Sequence, residues 1–258
     1  SYLLAAIVVI GISSWFLLKK RHLVFAKRSI VVAAAFGIVT SLFTILTGDY
    51  SAKVIAKHQP MKFAAFEGLS VGQHGAPLVA LGIVSSSPDD PNNVNVKDFA
   101  FKIEIPNFLS YMAFQDFNAF IPGVKDLMEG NEEQGIMSAT EKILRGRLAI
   151  DALAEYKAAK KTGDEIKQSE AQKVLDENFR YFGYGYFENN PQGLVPNLPL
   201  TFYSFHIMVM LGFWFLVFFA LILLLVYKNR ISTSRFWLKI AIMNIPLAYI
   251  ASQSGWIT

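Results

Sequence analysis

A cation and a carboxylate with the means to handle a proton stand in one short stretch, Gln59-Pro60-Met61-Lys62-Phe63-Ala64-Ala65-Phe66-Glu67, soon after an apolar run of membrane length. A carboxylate near water can take up a proton, and a cation can hold an oxygen atom by a charge-assisted hydrogen bond. Left among aromatic and apolar neighbours beside a membrane surface, Lys62 and Glu67 are candidates for the place where a lipid-soluble substrate would meet the protein. The plainer alternative is a pair of solvated interface charges. Pro60 suits the first turn of a helix over Met61 to Phe66, with Gln59 at its start. On that helix Gln59 and Lys62 share a face, as do Phe63 and Glu67. Lys62 and Glu67 lie about 140° apart, so each is free to address something other than its neighbour.

Three further residues have chemistry to offer. Asp49, at the end of the preceding apolar run, is costly at that depth unless paired or wet. His206, inside a later apolar run, should face protein, water or a cofactor for the same reason. Met208 either fills a gap in the packing or, with Gly212 clearing space four residues on, lies against a flat cofactor.

The elements that must position these residues are apolar helices. Of the 258 residues 53% are hydrophobic and 17% charged. Four runs, Tyr2 to Leu18, Ser29 to Thr47, Phe202 to Tyr227 and Phe236 to Ile257, each approach the ~20 residues that span hydrocarbon. Lys239 and Pro246 make the last the weakest. All 20 acids lie between Asp49 and Glu188 with 15 of the 24 bases, a balance of 15 − 20 = −5. The remaining 24 − 15 = 9 bases flank two short loops around Lys19 to Arg28 and Lys228 to Lys239, which the positive-inside rule places in the cytoplasm. The basic pI near 9.1 therefore reports topology and not nucleic-acid binding.

The expected fold is mainly α and polytopic: a transmembrane hairpin over 1–48, an extracytoplasmic region over 49–199 and a second hairpin over 200–258. Gly11 and Gly37 mark close helix contacts, and Gly48-Asp49 ends the second span. Within the excursion, Ser85 to Asn93 reads as an irregular loop, and Phe99 to Ile105 alternates as a short strand ended by Pro106. Ser138 with Glu141 caps a helix whose stripe is Leu144, Leu148, Ala152 and Tyr156. Thr162 with Glu165 starts another through Val174, Leu175 and Phe179. These stripes read as core or docking faces. The opening Ser-Tyr-Leu-Leu lacks the marks of a signal peptide, and both ends fall inside apolar segments, as expected of part of a longer protein. With no cysteine, thiolate metal sites and disulfides are excluded.

Several strings together resemble subunit I of the cytochrome bd type quinol oxidases: Gly11-Ile12-Ser13-Ser14-Trp15, Phe25-Ala26-Lys27-Arg28-Ser29, Gly48-Asp49, Gln59-x-x-Lys62-x-Ala64-Ala65-x-Glu67, His206-Ile207-Met208-Val209 and Gly255-Trp256. The resemblance covers the chain and corresponds to the second half of such a subunit. It implies that the excursion is the quinol-binding Q-loop, with Lys62 and Glu67 in quinol binding and oxidation. It implies Met208 as a ligand of the low-spin haem b, whose partner His would lie upstream of Ser1. Trp256 would belong to the second haem site, and a further haem b and haem d to the full-length protein. His206 stands where many relatives carry Arg, replacing a permanent charge with a titratable one.

The implied partners are the remainder of subunit I, a second oxidase subunit, membrane lipid and quinol, without nucleic acid. The implied location is the bacterial cytoplasmic membrane. The isolated piece is expected to be inactive. A membrane receptor or transporter segment with an extracytoplasmic sensing domain fits the same topology.

Overall fold

The computed structural model describes residues 2–84, 99–187 and 190–258. In chain order the elements are α1 (Tyr2–Leu18), α2 (Leu23–His58), α3 (Pro60–Glu67), β1 (Gln73–His74), β2 (Leu78–Val84), β3 (Phe99–Ile105), α4 (Phe108–Phe114), β4 (Phe120–Ile121), α5 (Val124–Glu129), α6 (Ala139–Thr162) and α7 (Glu165–Asn178). Two 3-10 segments, Phe179–Tyr186 and Pro191–Leu194, lead to α8 (Leu198–Tyr227) and α9 (Arg235–Ile257). The chain divides into two compact units, Ser1–Val54 with Leu200–Thr258, and Ile55–Pro199.

In the first unit the core is formed by Ile7, Ile10, Ile30, Phe215, Phe218, Phe219, Ile222 and Leu238, among others. Its outward surface is equally apolar, with Val32, Phe43, Leu46, Phe213 and Met243 exposed. Helices that are apolar all round suit a lipid solvent. Two stretches, Leu23–His58 and the Pro191–Tyr227 segment containing α8, are long and apolar enough to cross a membrane. The four apolar runs each became a helix, but α1 has only 17 residues, and α9 carries Arg235, Lys239 and an internal Pro246. Gly11 and Gly37 do mark close approaches. A methyl at Gly11 would lie 2.6 Å from Ile245 Cδ1, and one at Gly37 equally near the Phe219 ring.

The second helix does not stop at Gly48-Asp49. Helix α2 runs on to His58, because one helical Gly costs only about 1 kcal/mol. The turn beyond it is also reinforced by an Asp49–Lys53 ion pair of 2.7 Å.

In the second unit α6 and α7 form an antiparallel pair, and the 3-10 segment at Phe179–Tyr186 packs on α6. Ser138 Oγ accepts from Glu141 N, as its spacing predicts. The next cap is Asp164 and not Thr162, which is the last residue of α6. Of the expected stripe of α6 only Ala152 is buried. Ile143, Gly146, Ala149, Ala152 and Ala159 face inward, while Leu144 and Leu148 are exposed. Small residues let the 3-10 backbone approach closely, with Gly146 against Gly185, and that contact turns the larger side chains outward. Val174 and Phe179 are exposed too.

Strand β3 spans Phe99–Ile105 as expected and pairs antiparallel with β2, a strand the sequence reading missed. A second, two-residue pairing joins β1 to β4. The expected irregular loop at Ser85 to Asn93 lies outside the described residues.

Candidate functional site

Helix α3 starts with Pro60 at its first position and stops at Gly68, whose left-handed φ of 69° lets its N–H bond back to the last turn. Beneath it Ala64 packs with Val124 and Leu127 of α5, and the Phe63 and Phe66 rings meet edge to face at 5.2 Å. Short and apolar, the helix is held by this floor and not by its own propensity.

Glu67 ends the helix and departs from the expectation of a carboxylate near water. It is only 5% exposed, and its Oε2 has no hydrogen-bond partner. Burial pushes its pKa from 4.5 up to about 8, since removing a carboxylate from water penalises the charged form. Lys62 is half-buried on the same helix. Among the described residues no ion pair joins it to Glu67, in agreement with their angular separation. Gln59 is exposed and caps α3 only through its backbone.

The other candidates lie in the first unit. Asp49 is accounted for locally by its bond to Lys53. His206 donates from Nδ1 to the Phe202 carbonyl, 2.9 Å away and one turn back. Its ring lies over Phe202 with centroids 4.0 Å apart. Met208 is half-buried, and a methyl at Gly255 on α9 would sit 3.0 Å from its Sδ. A methyl at Gly212, one turn further along α8, would meet nothing within 4 Å. The next residue on α9, Trp256, is 86% exposed.

The donor chemistry here is one thioether, Met208, on a helix face that Gly212 leaves open, and a soft donor of this kind is compatible with haem iron. No group of three His, Asp or Glu able to hold a metal occurs among the described residues.

Sequence reasoning passed over Asp126. This residue is 8% exposed, and its carboxylate accepts from Gly72 N, from Gly123 N at 3.1 Å and from Asn131 Nδ2 at 2.8 Å. Burial alone would raise its pKa, but the bonds from Asn131, Gly72 and Gly123 outweigh that and hold it below the usual value. The available signal was an acid three residues after Gly123, the N3 half of a capping box.

Residues 1–258 match the family model described as cytochrome bd terminal oxidase subunit I. Among curated relatives, a cytochrome bd-II ubiquinol oxidase subunit 1 from Escherichia coli (strain K12) is 28% identical over 99% of this chain and 49% of its own length. A cytochrome bd ubiquinol oxidase subunit 1 from Bacillus subtilis (strain 168) is 26% identical over 98% of this chain and 41% of its own. The chain thus spans less than half the length of these relatives. The solved structure of bd oxidase from Geobacillus thermodenitrificans shares the fold, with a TM-score of 0.64 at 20% identity over 98% of this chain and 42% of that one.

Proposed function

The chain belongs to the cytochrome bd terminal oxidase subunit I family, and from that premise we propose that it carries the quinol-oxidising end of a quinol:oxygen oxidoreductase. The observation that carries this reading is the burial of Glu67, with an unpartnered oxygen, on the helix that presents Lys62.

Oxidising a quinol removes two protons with two electrons. Once ionised, Glu67 takes a proton from the quinol hydroxyl, while the Lys62 ammonium donates to a ring oxygen and fixes the ring. A raised pKa suits the first role, because a stronger base sits at the site when the proton must move. Phe63 and Phe66, buried on the same short helix, give Glu67 apolar surroundings that suit a lipid-soluble ring better than water. Met208 is the residue that would hold a haem b, which would supply a one-electron acceptor whose potential a thioether raises. Gly212 leaves room on that face, Trp256 belongs with the second haem site, and His206 is held to its own helix backbone.

In this reading α1, α2, α8 and α9 all cross the bacterial cytoplasmic membrane. The basic loops face the cytoplasm, residues 49–199 lie outside, and the protons leave on that side. The rest of subunit I, with a further haem b and haem d, and a second subunit complete the oxidase, so the 258-residue chain alone reduces no oxygen. The test is Glu67→Ala in the full-length complex, which should depress quinol oxidation at near-normal haem content. Wild-type turnover in that variant would overturn the assignment.

A further inference from the structure

The segment that follows Glu67 is not a free loop. Leu69 O accepts from Val124 N and Ser70 O from Lys125 N, each at 3.0 Å, so residues 69 to 70 run beside the start of α5. One residue further along α5, the Asp126 carboxylate closes this strap by accepting from Gly72 N and from Gly123 N with the same oxygen, Oδ2. Its other oxygen, Oδ1, takes the Asn131 amide. The contact admits no side chains at either glycine. A methyl at Gly123 would strike Ser70 O, and one at Gly72 would lie 2.7 Å from the Asp126 Oδ2 itself. The same short helix supplies Val124 and Leu127 to the floor under Ala64 of α3. Helix α5 therefore holds α3 twice, by apolar packing beneath its middle and by a buried carboxylate on the chain leaving its end.

We propose that Asp126 is a positioning residue for quinol oxidation, acting through the Leu69–Gly72 strap to fix where the Glu67 carboxyl points. This rests on the quinol-site reading above. The two acids divide the work. Asp126 has three donors and is held as a fixed anion, whereas Glu67 Oε2 has none and is left for a substrate. Without Asp126 the strap loses its terminal clamp, and two backbone N–H groups lose their acceptor. Displacing a proton acceptor by about 1 Å is enough to cost on the order of a hundredfold in rate.

The experiment is a double-mutant cycle in the full-length oxidase. Its readout is turnover of a short-chain ubiquinol or menaquinol, whichever the wild type oxidises faster, with haem content measured alongside. Asp126→Ala is expected to lower kcat by roughly ten- to a hundredfold. Asp126→Asn, which keeps one oxygen for Gly72 and Gly123, should stay within about threefold of wild type if Asn131 reorients to accept its amide. In a Glu67→Gln background, Asp126→Ala should cost less than about twofold more, because the group it positions is gone. An equal loss in both backgrounds would show a purely structural role and overturn the proposal, as would unchanged turnover in Asp126→Ala alone. If the Ala variant fails to assemble, Asn131→Ala removes a single donor from the clamp and the same cycle decides. Wild-type turnover in Glu67→Gln would instead overturn the quinol-site reading.

Discussion

The Met208 thioether on α8 lies against Gly255 on α9, so closely that a methyl at 255 would be 3.0 Å from Sδ. Met208 is flexible and can shift by a few tenths of an ångström, so Gly255→Ala should displace the sulfur without removing it. In the full-length protein we expect Met208→Ala to abolish the low-spin haem b absorption. Gly255→Ala should keep that absorption but change its midpoint potential in a redox titration. An unchanged haem b spectrum after Met208→Ala would sink the ligand assignment.

Glu67 sets the pH dependence. Its folded pKa of about 8 lies above the unfolded value of 4.5, so the folded state retains a proton that the unfolded state releases. Stability should therefore fall as pH rises from about 4.5 to about 8 and level off beyond, and Glu67→Gln should flatten that slope. In the proposed role of base the residue works only when ionised, so kcat/KM for quinol should rise with pH through a midpoint near 8. A profile flat from pH 6 to 9 would contradict this.

A second contact between α8 and α9 is the hydrogen bond from Trp214 Nε1 to Asn244 Oδ1, 2.8 Å long, with Asn244 fully buried. Asn244→Leu leaves the indole N–H without its acceptor and should cost about 1–3 kcal/mol. Thermal unfolding in detergent reads this directly, and an unchanged midpoint would remove the bond from the account.

On α6, Gly146→Ala should destabilise by about 1–3 kcal/mol despite the better helix propensity of Ala, because a methyl there overlaps the Gly185 backbone. Leu144→Gln, at a position 54% exposed, should stay within about 0.5 kcal/mol. Chemical denaturation of the two variants compares them, and the reverse order would restore the leucine stripe as the core face.

That pair also shows where local pattern stops informing. The spacing at Ser138 and Glu141 and the alternation at Phe99 to Ile105 are written into contiguous residues, and both elements appear where the pattern puts them. Leu144 and Leu148 have the periodicity of a buried face, but which face is buried depends on glycines 39 residues apart meeting, Gly146 and Gly185. Strand β2 went unread, since the strand it pairs with lies beyond residues 85–98. In α3 the helix, its Pro60 start and the separation of Lys62 from Glu67 were all legible. The burial of Glu67 was not, and the carboxylate of Asp126 bonds to a backbone N–H 54 residues away.

Quinol turnover of Glu67→Gln in the full-length complex, set against its haem spectrum, tests the central claim most directly. Loss of a general base should lower turnover by about a hundredfold or more, with haem content near that of the wild type. Wild-type turnover, or a loss of activity that only follows a loss of haem, would contradict a proton-accepting role for this buried carboxyl.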